Sequence, residues 1–391
     1  MAEAYIATAV RSAGGRRKGG LVGVHPADLG ATVLNALVDR SGIDPAALDD
    51  VIVGCVTNGG EQTFAFARNV VLASKLPDSV PAVTIDRQCG SSQQALQFAA
   101  QAVMSGTQDA VIAAGVESMT RVPMGLPFTL PMQQGIGTGP FSKRIRDRFG
   151  VDGFSQFTGA EMIAEKYGLA KAALDAFALD SHRKAARATG ESAFAGEIVP
   201  LPVVREDGAE TFHDRDEGIR YDATLEAIEA VKPLKEGGRI TAANASQICD
   251  GASGVLVVNA RALKAHGLVP MARIVNLTVT GGDPVIMLEE VIPATRRALE
   301  RSGMTIGEID LYEVNEAFAP VPLAWLRETG ADPARLNVHG GAIALGHPLG
   351  ASGTKLMATL LHALEARGGR YGLQTMCEGG GLANVTIVER L

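Results

Sequence analysis

A chain of 391 residues with 46% hydrophobic and 20% charged residues can bury a large core, and its length suggests two or three structural units. The formal net charge of -7 argues against nucleic acid as the main partner, because phosphate-backbone binding needs a dominant basic footprint. No apolar run approaches the roughly 20 residues of a membrane-spanning helix, and the four cysteines, Cys55, Cys89, Cys249 and Cys377, form no Cys-x-x-Cys pair.

These features predict a soluble protein of a reducing compartment, the cytoplasm, with no metal site. The apolar part of the first ten residues is too short for a signal peptide, and Val388-Glu389-Arg390-Leu391 spells no retention or peroxisomal address.

In chain order, a helix closing on Ala36-Leu37-Val38-Asp39-Arg40-Ser41 and stopped by Gly42 precedes strand-like runs at 51–53 and 83–85. Cys89 follows, and Gly90-Ser91-Ser92 opens a helix over 93–104; the next apolar run, 110–114, reads as a buried strand. From 119 to 247 the texture changes. Pro123, Pro127, Pro131 and Pro140 with several glycines come first, then helices at 160–167 and 171–189, then a polar stretch over 205–221 that suggests hairpins. Ala245-Ser246-Gln247-Ile248-Cys249-Asp250-Gly251 leads into another buried strand, 255–258.

Beyond it the sequence repeats itself. Arg297-Ala298-Leu299-Glu300-Arg301-Ser302-Gly303-Met304 echoes Ala36-Leu37-Val38-Asp39-Arg40-Ser41-Gly42-Ile43 at an offset of 261. The same register sets Ala351-Ser352-Gly353 over Gly90-Ser91-Ser92 and Cys377 over Val116. An α/β protein of two repeated halves is predicted. Residues 1–118 and 249–270 form the first half, 119–248 an inserted lid-like loop domain, and 271–391 the second half.

Cys89 at a helix start is placed for a thiolate, which the helix dipole favours. His347, in Gly346-His347-Pro348-Leu349-Gly350, is the one histidine in a glycine-rich rigid turn; His25, His182, His213, His266 and His362 read as surface or helix-face residues, and His339 is open. Cys and His together suit nucleophilic acyl transfer. A second thiol, Cys377, followed by Glu378-Gly379-Gly380-Gly381, can move protons while Cys89 attacks, which suits carbon–carbon bond chemistry next to a thioester; a buried packing thiol is the bland alternative. Oxyanions formed on that route need fixed donors, and the amides of Cys89 and Gly379, His347 and Asn315 are candidates. Asn315 can equally be a strand-end Asn satisfying its own backbone.

Four motifs in this order resemble the thiolases, the acetyl-CoA acyltransferases. They are Cys89-Gly90-Ser91-Ser92-Gln93-Gln94-Ala95, Asn315-Glu316-Ala317-Phe318-Ala319, the run Gly340 through Gly353 with Gly346-His347-Pro348 at its centre, and Cys377-Glu378-Gly379-Gly380-Gly381. The resemblance runs from Arg11 to the C-terminus. It implies a layered αβαβα fold, CoA and acyl-CoA as substrates rather than a bound cofactor, and a homodimer or homotetramer. It further implies Cys89 as acyl-accepting nucleophile, His347 as its activator, Asn315 as the holder of a water at the enolate oxygen, and Cys377 as acid/base. Gly379 would complete an oxyanion hole, with Ser246 and Arg220 at CoA.

Three departures stand out. Ser155-Gln156-Phe157 replaces the His-Met-Gly typical of acetyl-CoA-condensing members, which points to a larger 3-ketoacyl chain, sterol side chains included, over acetoacetyl-CoA. Leu288-Glu289-Glu290-Val291 reads as a solvated helix start or an altered pocket rim, and Cys249 as a small packing residue. The basic run Lys143-Arg144-Ile145-Arg146-Asp147-Arg148 is a place for nucleotide phosphates, a subunit contact or a solvated face. A decarboxylating ketoacyl synthase is disfavoured by Cys377, and a non-catalytic lipid or acyl-CoA binder by the intact catalytic set.

Overall fold

Apolar runs and glycine stops build twelve strands among the described residues, 3–204 and 208–391, of the computed structural model. They are β1 (Tyr5–Arg11), β2 (Gly15–Arg16), β3 (Asp50–Gly54), β4 (Ala82–Ile85), β5 (Ala110–Ser118), β6 (Leu201–Val204), β7 (Glu210–His213), β8 (Cys249–Val258), β9 (Ala272–Gly281), β10 (Leu311–Val314), β11 (Tyr371–Glu378) and β12 (Leu382–Arg390). Two strand sets lie side by side, β4-β3-β5-β8-β1 and β9-β12-β11-β10. Among the described residues the two sets pair strand to strand only where Tyr5 faces Arg273 and Ile6 faces Ala272.

Both sets have the same wiring. β3 runs parallel to β5 and β10 parallel to β11, and the remaining long strands of each set return antiparallel. The offset of 261 maps the start of β3 onto that of β10, and of β5 onto that of β11. It also maps the end of helix Pro26–Ser41 onto the end of helix Val291–Ser302; Gly42 and Gly303 close them with left-handed φ of 74° and 69°, where a Cβ would be strained. The copies part where the first has the edge strand β4 and the second a short helix, Ala342–Leu345.

Helices complete five layers. Pro26–Ser41 and Phe66–Ala73 cover the outer face of the first strand set, and Val291–Ser302 and Pro320–Thr329 that of the second. Helices Ser91–Ser105 and Ser352–Arg367 fill the middle, each touching strands of both sets. The result is the αβαβα order expected. Leu96, Ala99 and Val103 of one central helix meet Met357, Leu360 and Leu364 of the other in a core cluster, and full burial of each leucine contributes about 1.5–3 kcal/mol.

The central helices meet backbone to backbone at their starts. A Cβ on Gly353 would stand 2.1 Å from the Gln93 amide nitrogen, and the Thr354 amide donates to Ser92 Oγ at 3.0 Å. That is why both helices open on small residues. Their close approach brings the Cys89 turn and the loop holding His347 to one place.

Part of segment 119–248, the lid-like insert of the sequence reading, packs onto the second half. Ala160, Ile163 and Ala164 of helix Gln156–Lys166 share a core with Val314, Phe318 and Cys377. Fully buried Arg11 donates to Glu197 Oε1 at 2.5 Å and to both Asp216 oxygens at 2.8 and 3.0 Å, and lies 4.9 Å from the Phe194 ring centre. Two helices, Leu126–Gln133 and Lys143–Phe149, stand in the stretch marked by prolines and glycines. Pro127 falls in a first turn, where a missing N–H costs nothing. Of the hairpin expectation over 205–221, residues 205–207 lie outside the described residues; β6 and β7 on either side of them pair antiparallel.

Candidate active site

β4 ends at Ile85, and the chain reverses through Asp86, Arg87 and Gln88 before the helix begins at Ser91. Gln88 carries φ of 47°, a left-handed conformation costing a non-glycine residue about 1–3 kcal/mol. The turn is held by Ser91, whose amide and Oγ donate to the Gln88 carbonyl at 3.0 and 2.6 Å while its Oγ accepts from the Arg87 amide at 2.9 Å. The strained turn places Cys89 in a buried apolar cluster with Met119, Leu349, Leu356 and Met376.

The thiolate expected from the helix start is not the resting form. Burial, then the nearby Glu378 carboxyl, pushes the Cys89 thiol up to about 12. A helix terminus supplies only about 0.3–1 kcal/mol against a buried-charge penalty of several. Deprotonating Cys89 therefore needs a base.

His347 is buried and neutral. Burial and the Lys355 ammonium push it down to about 3. Ser352 Oγ donates to the Pro348 carbonyl at 2.9 Å, so its oxygen accepts His347 Nδ1–H at 2.5 Å. Nε2 is thereby left with its lone pair, 3.4 Å from Asn315 Nδ2. Asn315 follows β10, and its amide donates to the Thr375 carbonyl at 3.0 Å, beside the strand that ends in Cys377 and Glu378.

Cys377 is fully buried, and burial, then Cys89, then Glu378 raise its thiol well above the ordinary value. The loop after it returns to the Cys89 turn: a Cβ on Gly379 would meet Gln88 Oε1 at 2.8 Å. Cys89, Cys377, Gly379, Asn315 and His347 are thus gathered by contiguous contacts. Ser246 stands at the edge of this group, its amide donating to the Ala317 carbonyl at 2.9 Å. Arg220 is set apart on the surface; its amide donates to His182 Nδ1 at 3.2 Å, and its side chain makes no ion pair among the described residues.

Several supporting residues had no role assigned from sequence. Ser352 orients His347, and buried Lys355 donates to the Leu345 carbonyl at 2.5 Å, pinning the loop before it. Glu117 ties the halves together, accepting from the amides of Val56, Thr57 and Gly350 at 2.9, 3.0 and 2.8 Å. The spacing of five from His347 to Ser352, the first residue of a helix, was the available signal for Ser352.

Other expectations change. Glu289 and Glu290 are half-buried rather than solvated: Glu289 pairs with Lys166 and accepts from Tyr167, and Glu290 packs on Gly282. His182 and His213 are buried, and His339 lies edge-on to Phe194 at 5.8 Å. Cys249 is buried beneath Gly346. The basic run forms the exposed helix Lys143–Phe149 with a Lys143–Asp147 pair at 2.7 Å, the arrangement of a solvated face. Phe157 remains 44% exposed, its ring 5.4 Å from that of Phe318. No group of three or more His, Cys, Asp or Glu suited to a metal occurs among the described residues, and no helix there is long and apolar enough to cross a membrane.

Five layers from two copies, with a buried thiol pair beside a neutral imidazole, define an acyl-transfer enzyme, and the chain belongs to the thiolase family. It matches the thiolase N-terminal domain over residues 4–261 and the thiolase C-terminal domain over 268–390. Among curated relatives it is 53% identical over 393 residues to a steroid 3-ketoacyl-CoA thiolase of Mycobacterium tuberculosis, covering all of this chain and 95% of that protein. A β-ketoadipyl-CoA thiolase of Pseudomonas putida and a 3-ketoacyl-CoA thiolase of Aeromonas salmonicida are each 40% identical, with 100% of both chains covered.

Proposed function

We propose that the protein is a 3-ketoacyl-CoA thiolase of a degradative, β-oxidation-type pathway, taking bulky acyl chains of the sterol side-chain class. The observation that carries the reaction is the buried pair Cys89 and Cys377 with neutral His347 and Asn315. Cys89 sulfur attacks the 3-keto carbon and its proton passes to His347 Nε2. The bond to the alpha carbon breaks, leaving its electron pair as the acetyl-CoA enolate, whose oxygen meets His347 and an Asn315-held water. Cys377 protonates that carbon; its thiolate then takes the proton of free CoA, whose sulfur attacks the acyl carbon and displaces the Cys89 sulfur, which recovers its proton from His347 Nε2. The amides of Cys89 and Gly379 hold the tetrahedral oxyanions, and Ser246 and Arg220 contact CoA. No metal or resident cofactor takes part, and the working form is a cytoplasmic homodimer or homotetramer.

The bulky-chain preference draws on the steroid-thiolase relative and on the Phe157–Phe318 pair, an apolar aromatic surface where the His-Met-Gly segment of acetyl-CoA-condensing members ends in glycine. Thiolysis rates across 3-ketoacyl-CoAs of increasing length test it. A sterol-type ester should exceed acetoacetyl-CoA by about tenfold or more in kcat/KM, since each extra buried methylene is worth about 1–3 kcal/mol. Preference for acetoacetyl-CoA would overturn the substrate class, and no thiolysis of any ester the reaction itself.

A further inference from the structure

The repeat places two carboxylates at equivalent points, Glu117 at the end of β5 and Glu378 at the end of β11, 261 residues apart. Glu117 is consumed by three amides and by Gln62 Nε2 at 3.1 Å. Glu378 is equally buried, yet neither of its oxygens has a hydrogen-bond partner among the described residues. A buried carboxylate without donors is costly, so such a group is kept as the neutral acid or retained for a purpose.

Its position supplies the purpose. Glu378 directly follows Cys377, and a Cβ on Gly90 would lie 1.9 Å from Glu378 Oε1, so the carboxyl rests on the residue after Cys89. Asn384 of β12 flanks the same glycine, donating to its carbonyl at 3.1 Å, with its own Oδ1 unpartnered. The charged and titratable groups around Glu378 are Asp86 and Arg87 of the nucleophile turn and the two thiols. Arg87 reaches it as a charge only, without a hydrogen bond, and Asp86 opposes it.

We propose that Glu378 is a positioning residue of the reaction, a carboxyl that supports the Cys89 turn while it carries its proton and whose ionisation opposes thiolate formation at both cysteines, setting the upper pH limit of activity. The proposal rests on the thiolase reading of the site. Its sign follows from charge alone: below Glu378's titration the carboxyl is neutral and indifferent to a thiolate, and above it, once the proton has gone to solvent, a negative charge stands beside each sulfur. The first copy cannot act in this way, because Glu117 is committed to cross-linking the halves.

Alkylation of Cys89 by iodoacetamide, followed by mass spectrometry of its peptide, reads thiolate availability without turnover. The ratio of the Glu378→Gln rate to the wild-type rate should grow by about fivefold or more between about pH 6 and about pH 9. A ratio independent of pH, as a packing role alone would give, overturns the proposal. If the variant does not fold, the wild-type profile decides: a shoulder between two unit-slope limbs supports it, and one unbroken unit slope overturns it. Failure of the thiolase reading shows separately, as wild-type protein that performs no thiolysis of any 3-ketoacyl-CoA.

Discussion

Replacing Cys89 by alanine is expected to lower kcat for thiolysis by about four orders of magnitude or more, because residues acting as one nucleophilic unit lose most of the rate when any member goes. The neutral Cys89 and His347 resting state sharpens this, since neither an alanine nor a water held in its place has a sulfur for His347 Nε2 to deprotonate. Cys377→Ala is expected to separate the steps: exchange of the acetyl-CoA alpha protons with solvent deuterium disappears while acyl transfer to Cys89 is partly retained. Thiolysis by Cys89→Ala protein at more than about a hundredth of the wild-type rate would exclude Cys89 as nucleophile, and equal loss of both steps in Cys377→Ala would remove the division of labour.

The second large effect concerns stability. Arg11→Ala is expected to cost about 3–5 kcal/mol, read as a lowered denaturant midpoint, because it leaves Glu197 and Asp216 as buried charges without their partner. Burial by itself raises the Asp216 carboxyl, but Arg11, with Lys355 behind it, outweighs that and holds it below the usual carboxylate range. The sign of the pH dependence follows. This contribution is complete above the unfolded-state value of Asp216 and is lost as pH falls through the lower folded value, so wild type and variant should converge in stability in acid. A loss under about 1 kcal/mol near neutral pH would mean that Arg11 does not hold segment 119–248 to β1.

The repeat was legible because Gly42 and Gly303 stop equivalent helices, and a stop needs only the residue itself. The catalytic candidates were legible for a like reason: cysteines and a histidine set among glycines are rare locally. The two helices of segment 119–248, Leu126–Gln133 and Lys143–Phe149, were hidden by prolines and glycines that normally break a periodic pattern, and neither helix has a buried face to mark one. His182 and His213 read as surface or helix-face residues, and the buried role of Arg11 stayed unread, because nothing near them in sequence names the groups that bury them. Glu378 illustrates the same limit. In sequence it is one acid in a glycine-rich loop, and only the fold shows that its counterpart Glu117 is satisfied while it is not.

The backbone contact between Gly353 and Gln93 has a genetic consequence. The proposed nucleophile, Cys89, comes from the first copy and the groups proposed to work with it from the second, and that contact brings them together inside one chain. Subunits carrying Cys89→Ala and subunits carrying Cys377→Ala, coexpressed in one cell, should therefore fail to restore each other's thiolysis, however they assemble.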